Sequence, residues 1–171
     1  MSAITLADIQ IRNTLQPGDL GYIAFIHGDL YAKECGYGLN FEAYVLDGLG
    51  DFAREYNPQQ DKVWICLHHN RIIGSLVAQH RAEKVQLRYF IFLPEYRGIG
   101  LGKHLMLEFN RFMQENGIKH AYLWTTAEQQ AAISLYNKSG FQLTEESTSD
   151  SFDKPVTERR YDLILPSSSP A

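Results

Sequence analysis

The sequence predicts an α/β (α+β) fold in one domain covering residues 1–166, and three observations carry that expectation. With 171 residues and a 44% apolar composition, the chain suits one compact domain with a substantial core, and a second domain would have to be very small. Its hydrophobic spacing switches repeatedly between the helical period and the strand period. An apolar strand also runs through glycines directly into a long amphipathic helix, an arrangement suited to holding an anion.

Taken in order, Ile9 and Ile11 alternate with polar neighbours and predict a strand over 9–13, which the cluster Gln16-Pro17-Gly18-Asp19 ends. A helix follows over 19–33, with Ile23, Ile26 and Leu30 at helical spacing. Asp19 is its expected N-cap, and Gly28 weakens its interior. Beyond the break Gly36-Tyr37-Gly38, a second helix is predicted over 41–56, because Phe41, Val45, Leu49 and Phe52 share one face before Asn57-Pro58.

The period then changes. Short apolar runs over 63–67 and 72–78, separated by His68-His69-Asn70-Arg71, read as a hairpin, and 85–93 reads as a strand whose end is covered on both faces. A helix over 100–116 stops at Asn116-Gly117. After it come a strand over 121–124, a helix over 129–139 ended by Gly140, and strands over 141–145 and 157–165. The tail 167–171 is polar and expected to be disordered.

Composition excludes several classes of function. The formal charge is −4 and the basic residues are scattered, so nucleic acid and anionic membrane are not expected partners. No apolar run approaches the roughly 20 residues that span a bilayer. Cys35 and Cys66 lack metal-ligand spacing, no metal site is expected, and the absence of a signal-like opening predicts a cytoplasmic protein with free thiols.

The stretch Phe92-Leu93-Pro94-Glu95-Tyr96-Arg97-Gly98-Ile99-Gly100-Leu101-Gly102 carries the chemistry. Unpaired N–H groups at a helix N-terminus, beside glycines that let a ligand approach the backbone, suit a pyrophosphate. The glycine spacing does not match the dinucleotide fingerprint, and the loop before Lys103 is too short for a Walker loop. What remains, Arg97-x-x-Gly100-x-Gly102, resembles the R/Q-x-x-G-x-G/A turn of the GNAT acyl-CoA N-acyltransferases. Further along, Ala132-Ile133-Ser134-Leu135-Tyr136-Asn137-Lys138-Ser139-Gly140-Phe141 resembles the same superfamily's A-x-x-L-Y-x-x-x-G-F signature. The first half is similar to the acyltransferase domain often fused to MarR-type regulators, through Pro17-Gly18-Asp19-Leu20-Gly21, His27-Gly28-x-x-Tyr31 and Gln86-Leu87-Arg88. No helix-turn-helix precedes these residues, so DNA binding is not carried over.

The resemblance implies a mixed, mostly antiparallel sheet flanked by helices, splayed between the strands at Val85 and Ala121 where acetyl-CoA (coenzyme A) enters. It further implies acetyl transfer to a primary amine, of a small molecule or a single residue, by direct attack in a ternary complex. Backbone groups of Phe90, Ile91 and Phe92 are expected along the pantetheine arm, and Arg97, Gly98, Ile99, Gly100, Leu101, Gly102 and Lys103 at the pyrophosphate. Gln129 and Lys138 are further cofactor candidates, although Gln129 stands where the family often has asparagine.

Tyr136 is the leading catalytic candidate, as proton donor to the departing thiolate; a core tyrosine is the competing reading. His27 and Tyr31, four apart on one helix face, are expected with Tyr37, Arg88 and Trp124 to line the acceptor pocket, against the alternative that they pack the core. Gln86 and Arg88 occupy the strand where many relatives place a glutamate base. Deprotonation is therefore left to ordered water, His27, His80 or Glu83. A non-catalytic acyl-CoA sensor is the second reading, and monomer and homodimer both stay open.

Overall fold

A computed structural model describes residues 3–167. The elements are β1 (Gln10–Arg12), α1 (Asp19–Cys35), α2 (Leu39–Glu55), β2 (Lys62–His68), β3 (Arg71–Arg81) and β4 (Lys84–Phe92), followed by α3 (Leu101–Glu115), β5 (His120–Thr126), α4 (Gln130–Lys138), β6 (Gln142–Ser149) and β7 (Val156–Ile164). This is the order the hydrophobic periods predict. Two short 3-10 turns, Leu6–Asp8 and Pro94–Tyr96, carry no periodic signal in the sequence. Most of the tail expected to be disordered, residues 168–171, lies outside the described residues.

Asp19 is not the N-cap of α1. Gly18 holds that position at φ 98°, and Asp19 opens the helix itself. Its carboxylate accepts from the Gln16 amide at 2.7 Å and from Arg12 at 2.8 and 2.9 Å, tying β1 to the helix start. Gly28 is tolerated within α1 because α2 passes close by: a Cβ there would stand 3.3 Å from Glu42 Cδ. The hairpin between β2 and β3 turns on His69 and Asn70, both at positive φ (50° and 61°), as a tight primed turn requires.

The seven strands form one sheet in the order β1-β2-β3-β4-β5-β7-β6. Every neighbouring pair is antiparallel except β4 with β5. Along β2 the side chains alternate between two cores. Trp64 and Cys66 join the cluster formed with α3 and α4, whereas Val63 and Ile65 join the cluster under α1 and α2. Burying a residue such as Phe109 or Phe52 contributes on the order of 2 kcal/mol, so both faces stabilise the sheet.

Two irregularities position the site. The parallel pair β4–β5 lasts only from Lys84↔His120 to Gln86↔Tyr122, after which the strands part. In β4 itself, Val77 opposes Arg88 and Ser75 opposes Ile91, so Tyr89 and Phe90 together stand across from Leu76 in a bulge. Tyr89 takes φ 50°, and the Ser75 hydroxyl donates to its carbonyl at 2.7 Å, pinning a conformation that an L-residue adopts only at a cost.

Candidate active site

Where β4 and β5 part, a cavity of about 370 Å³ opens between the sheet and the first two helices. Its walls bring together six residues singled out from the sequence: His27, Tyr31, Tyr37, Arg88, Trp124 and Tyr136. Phe90 and Gln129 also reach it. The bulge separates neighbours in β4: Arg88 and Tyr89 turn toward α2 at Gly48, whereas the Phe90 ring lies 6.2 Å from that of Tyr136.

The aromatic wall is continuous. Tyr31 stacks on His27 with ring centroids 6.0 Å apart, and on Tyr37 at 5.6 Å. Phe152, from the loop between β6 and β7, closes against Tyr37 at 5.2 Å. The Tyr37 hydroxyl shares a 2.7 Å hydrogen bond with that of Thr126 on β5.

Burial sets the protonation states. Tyr136 is 5% exposed, and burial, assisted by Tyr31, pushes its hydroxyl far above the ordinary tyrosine range, so it stays protonated near neutral pH. The Tyr31 hydroxyl is pushed up to about 12, chiefly by burial. His27 moves the other way. Burial lowers it to about 4, against the partial compensation of its bond to the backbone, with Arg88 lowering it slightly further. Its Nδ1–H donates to the Ile23 carbonyl at 2.8 Å, which leaves Nε2 as the unprotonated nitrogen of a neutral ring.

The remaining base candidates lie elsewhere. His80 bonds Asp61 at 2.7 Å, and Glu83 is exposed in the turn between β3 and β4; neither lines the cavity. Among the described residues the carboxylate that does line it is Glu158, on β7 opposite Thr126. Neither Glu158 nor Phe152 was found from the sequence, because both belong to the closing hairpin and only the strand order carries that hairpin to the site. The thiols stand apart: burial pushes Cys66 up to about 12, and burial likewise raises Cys35, whose sulfur accepts from Gln129 Nε2 at 3.1 Å.

At the other end of the opening lies the glycine turn. Gly98 and Gly100 take φ of 78° and 87°, and a Cβ on either would meet nothing within 4 Å, so an open backbone surface faces outward. The His104 amide reaches back to the Gly100 carbonyl at 3.0 Å, which leaves the amides of Leu101, Gly102 and Lys103 ahead of the helical ladder. Ile99 and Leu101 point their side chains into the core, so only their main chain can serve a ligand. Arg97 is engaged: its Nε donates to the Phe92 carbonyl at 3.2 Å, and its guanidinium pairs with Glu34 at 2.9 Å. Ile91 is buried in β4, whereas Lys103 and Lys138 are exposed.

These features suit an elongated ligand with an anionic end. Amides and a helix dipole would receive the anion. The open edge of β4 beyond Gln86 would accept a strand-like arm, with Tyr136 and the aromatic cavity at its far end.

Comparison with known proteins points the same way. The family model described as Acetyltransferase (GNAT) family matches residues 29–141. The uncharacterised N-acetyltransferase YjgM of Escherichia coli (strain K12) is 30% identical over 98 residues, 55% of this chain and 59% of that protein. The spermidine N(1)-acetyltransferase of Thermoplasma acidophilum is 29% identical over 91 residues, 53% and 54% of the two chains. The chain thus spans little more than half the length of these curated relatives. Among solved structures, the PaiA N-acetyltransferase of Thermoplasma acidophilum in complex with coenzyme A superposes with a TM-score of 0.69 at 19% identity, over 92% of this chain and 99% of that one. With its splayed parallel pair and its glycine turn ahead of α3, and with a family match over residues 29–141, the chain belongs to the GNAT acetyltransferase family.

Proposed function

We propose that the chain is an N-acetyltransferase that moves the acetyl group of acetyl-CoA onto a primary amine by direct attack in a ternary complex. One observation carries this reading: the parting of β4 from β5 joins an open glycine turn to a cavity in which the buried, protonated Tyr136 meets an aromatic wall. The amine nitrogen bonds to the thioester carbon while the carbon–sulfur bond breaks. The neutral amine loses one proton and the leaving thiolate gains one, giving an acetamide and a free thiol.

In this reading the chain's residues divide the work. Main-chain amides of Gly98 to Lys103 hold the diphosphate, while the free edge of Phe90 to Phe92 aligns the pantetheine. Tyr136 supplies the thiolate's proton. Glu158, the carboxylate that lines the cavity among the described residues, receives the proton of the amine. The likeness of the first half to the domain fused to MarR-type regulators belongs to the same proposal: Pro17 to Asp19 start α1, and His27 and Tyr31 project from it into the cavity. A cytoplasmic setting agrees with the two free thiols.

A second reading, an acyl-CoA sensor without turnover, is favoured by Gln86 and Arg88 on the strand where many relatives carry a base. Thiol release from acetyl-CoA against a panel of primary amines separates the two. The enzyme reading expects amine-dependent release. An intact thioester with every amine, while CoA still raises the melting temperature, would establish the sensor.

A further inference from the structure

The acceptor cavity holds a cation that the protein leaves unpaired. Of the nine arginines, eight form ion pairs with carboxylates among the described residues. Arg88 forms none, although it is half-buried, and desolvating a lone guanidinium is unfavourable unless something compensates. Its protein partners are neutral: Nη1 donates to Gln79 Oε1 at 3.0 Å, and the guanidinium lies 4.7 Å from the Tyr89 ring centroid.

Around it, hydrogen-bonding capacity is left over. Gln79 Nε2 and the Tyr89 hydroxyl are buried side-chain groups without a partner, and the Tyr89 hydroxyl and an Arg88 nitrogen both abut Gly48 of α2. A planar fork with several spare donors, lining the cavity, matches a carboxylate.

Position along the strands gives the rest. Arg88 lies two residues past Gln86, and Trp124 two past Tyr122, where the last β4–β5 pair ends; Arg88 therefore sits just inside the opening. Phe90, Tyr136 and Glu158 lie further toward the splay, with Glu158 level with Thr126. The cavity thus presents a cation at its inner end and a carboxylate nearer the reacting end, with aromatic rings among its walls.

We propose that the acceptor is a free amino acid with an apolar or aromatic side chain, its carboxylate held by Arg88, its amine directed to Glu158 and Tyr136, and its side chain against the aromatic wall. This rests on the acetyltransferase reading and names its substrate class. An amine without a carboxylate leaves Arg88 unpaired in the complex, and that penalty is what excludes it.

The test compares matched ligands on the wild-type protein. Phenylalanine, phenylalaninamide and phenethylamine share a ring and a primary amine, but only the first carries a carboxylate; leucine and methionine extend the set. Thiol release from acetyl-CoA is expected to be at least 100-fold more efficient in kcat/KM with the preferred amino acid than with amines lacking the carboxylate. In Arg88→Gln, checked for an unchanged melting temperature, that preference should fall below about tenfold. Calorimetry with CoA present supplies a readout independent of turnover: the amino acid should bind the wild type and bind Arg88→Gln at least tenfold more weakly. Equal turnover of phenethylamine, an unchanged preference in Arg88→Gln, or no binding of phenylalanine, leucine or methionine to the CoA-loaded protein overturns the proposal. If amino acids bind through Arg88 but no amine is ever acetylated, the carboxylate site stands and the transferase reading falls.

Discussion

In the proposed reaction Tyr136 and Glu158 divide the proton traffic, and each should leave a separate kinetic trace. Because burial keeps the Tyr136 proton in place, its service begins only when the thiolate departs, so its loss should be felt in the chemical step and not in binding. Tyr136→Phe is expected to lower kcat by roughly 10- to 100-fold while CoA affinity stays within about twofold. Stopped turnover and calorimetry measure the two, and equal losses in both would reduce Tyr136 to a packing residue. In the same proposal Glu158 acts on the amine. Glu158→Gln should lower kcat/KM about tenfold or more near pH 7, and the deficit should shrink as pH rises and the amine sheds its own proton. A deficit that stays constant with pH would assign Glu158 to binding alone.

Among the elements, α2 is more than a cover for the sheet, because its Gly48 leaves the room into which β4 projects Arg88 and Tyr89. A Cβ at Gly48 would come within 2.6 Å of an Arg88 nitrogen and 2.7 Å of the Tyr89 hydroxyl. Both are side-chain ends that can move, and replacing a helix-interior glycine by alanine favours the helix by up to about 1 kcal/mol. Gly48→Ala should therefore keep or raise the melting temperature while raising KM for the acceptor several-fold, with CoA affinity unchanged. A fall in melting temperature with KM intact would mean that the helix gives way and the side chains do not. The sequence made α2 plain, since Phe41, Val45, Leu49 and Phe52 recur on one face and all four are buried. It fell short on β6, expected over 141–145 but reaching Ser149: this edge strand is exposed almost throughout and is held by pairing with β7, which leaves no alternation to read. The site divides on the same line. His27 and Tyr31 share a helix face, and Tyr136 sits in a recognisable signature. Phe152 and Glu158 enter only because β7 lies between β5 and β6, a fact of topology that no local pattern encodes.

At the scale of the whole molecule, opening the sheet places an aromatic cavity between its two cores, and His27 lies on the line where the cavity meets the packing under α1. Its surroundings are unwelcoming to charge: Tyr31 and Tyr89 flank the ring, Arg88 adds like charge, and Nδ1–H is committed to the Ile23 carbonyl. The folded state therefore keeps His27 neutral down to about pH 4, whereas the unfolded chain takes up that proton near pH 6.5. Stability from this group is complete above the unfolded value, falls as pH drops from 6.5 toward 4, and levels off below that. The loss by pH 4.5 should reach roughly 2–3 kcal/mol. Asp162 titrates in a different range. Burial raises it, but hydrogen bonds from Arg160, Thr144 and His120 prevail and hold it well below the ordinary carboxylate range, so its contribution is lost only in stronger acid. Urea unfolding at intervals from pH 7.5 to 4.5 should show the decline in the wild type. His27→Gln should begin less stable at pH 7.5 and show a flatter profile through the same window. If both proteins lose stability in parallel, the proton responsible is carried elsewhere, and the neutral histidine at the cavity wall does not set the acid limit of this fold.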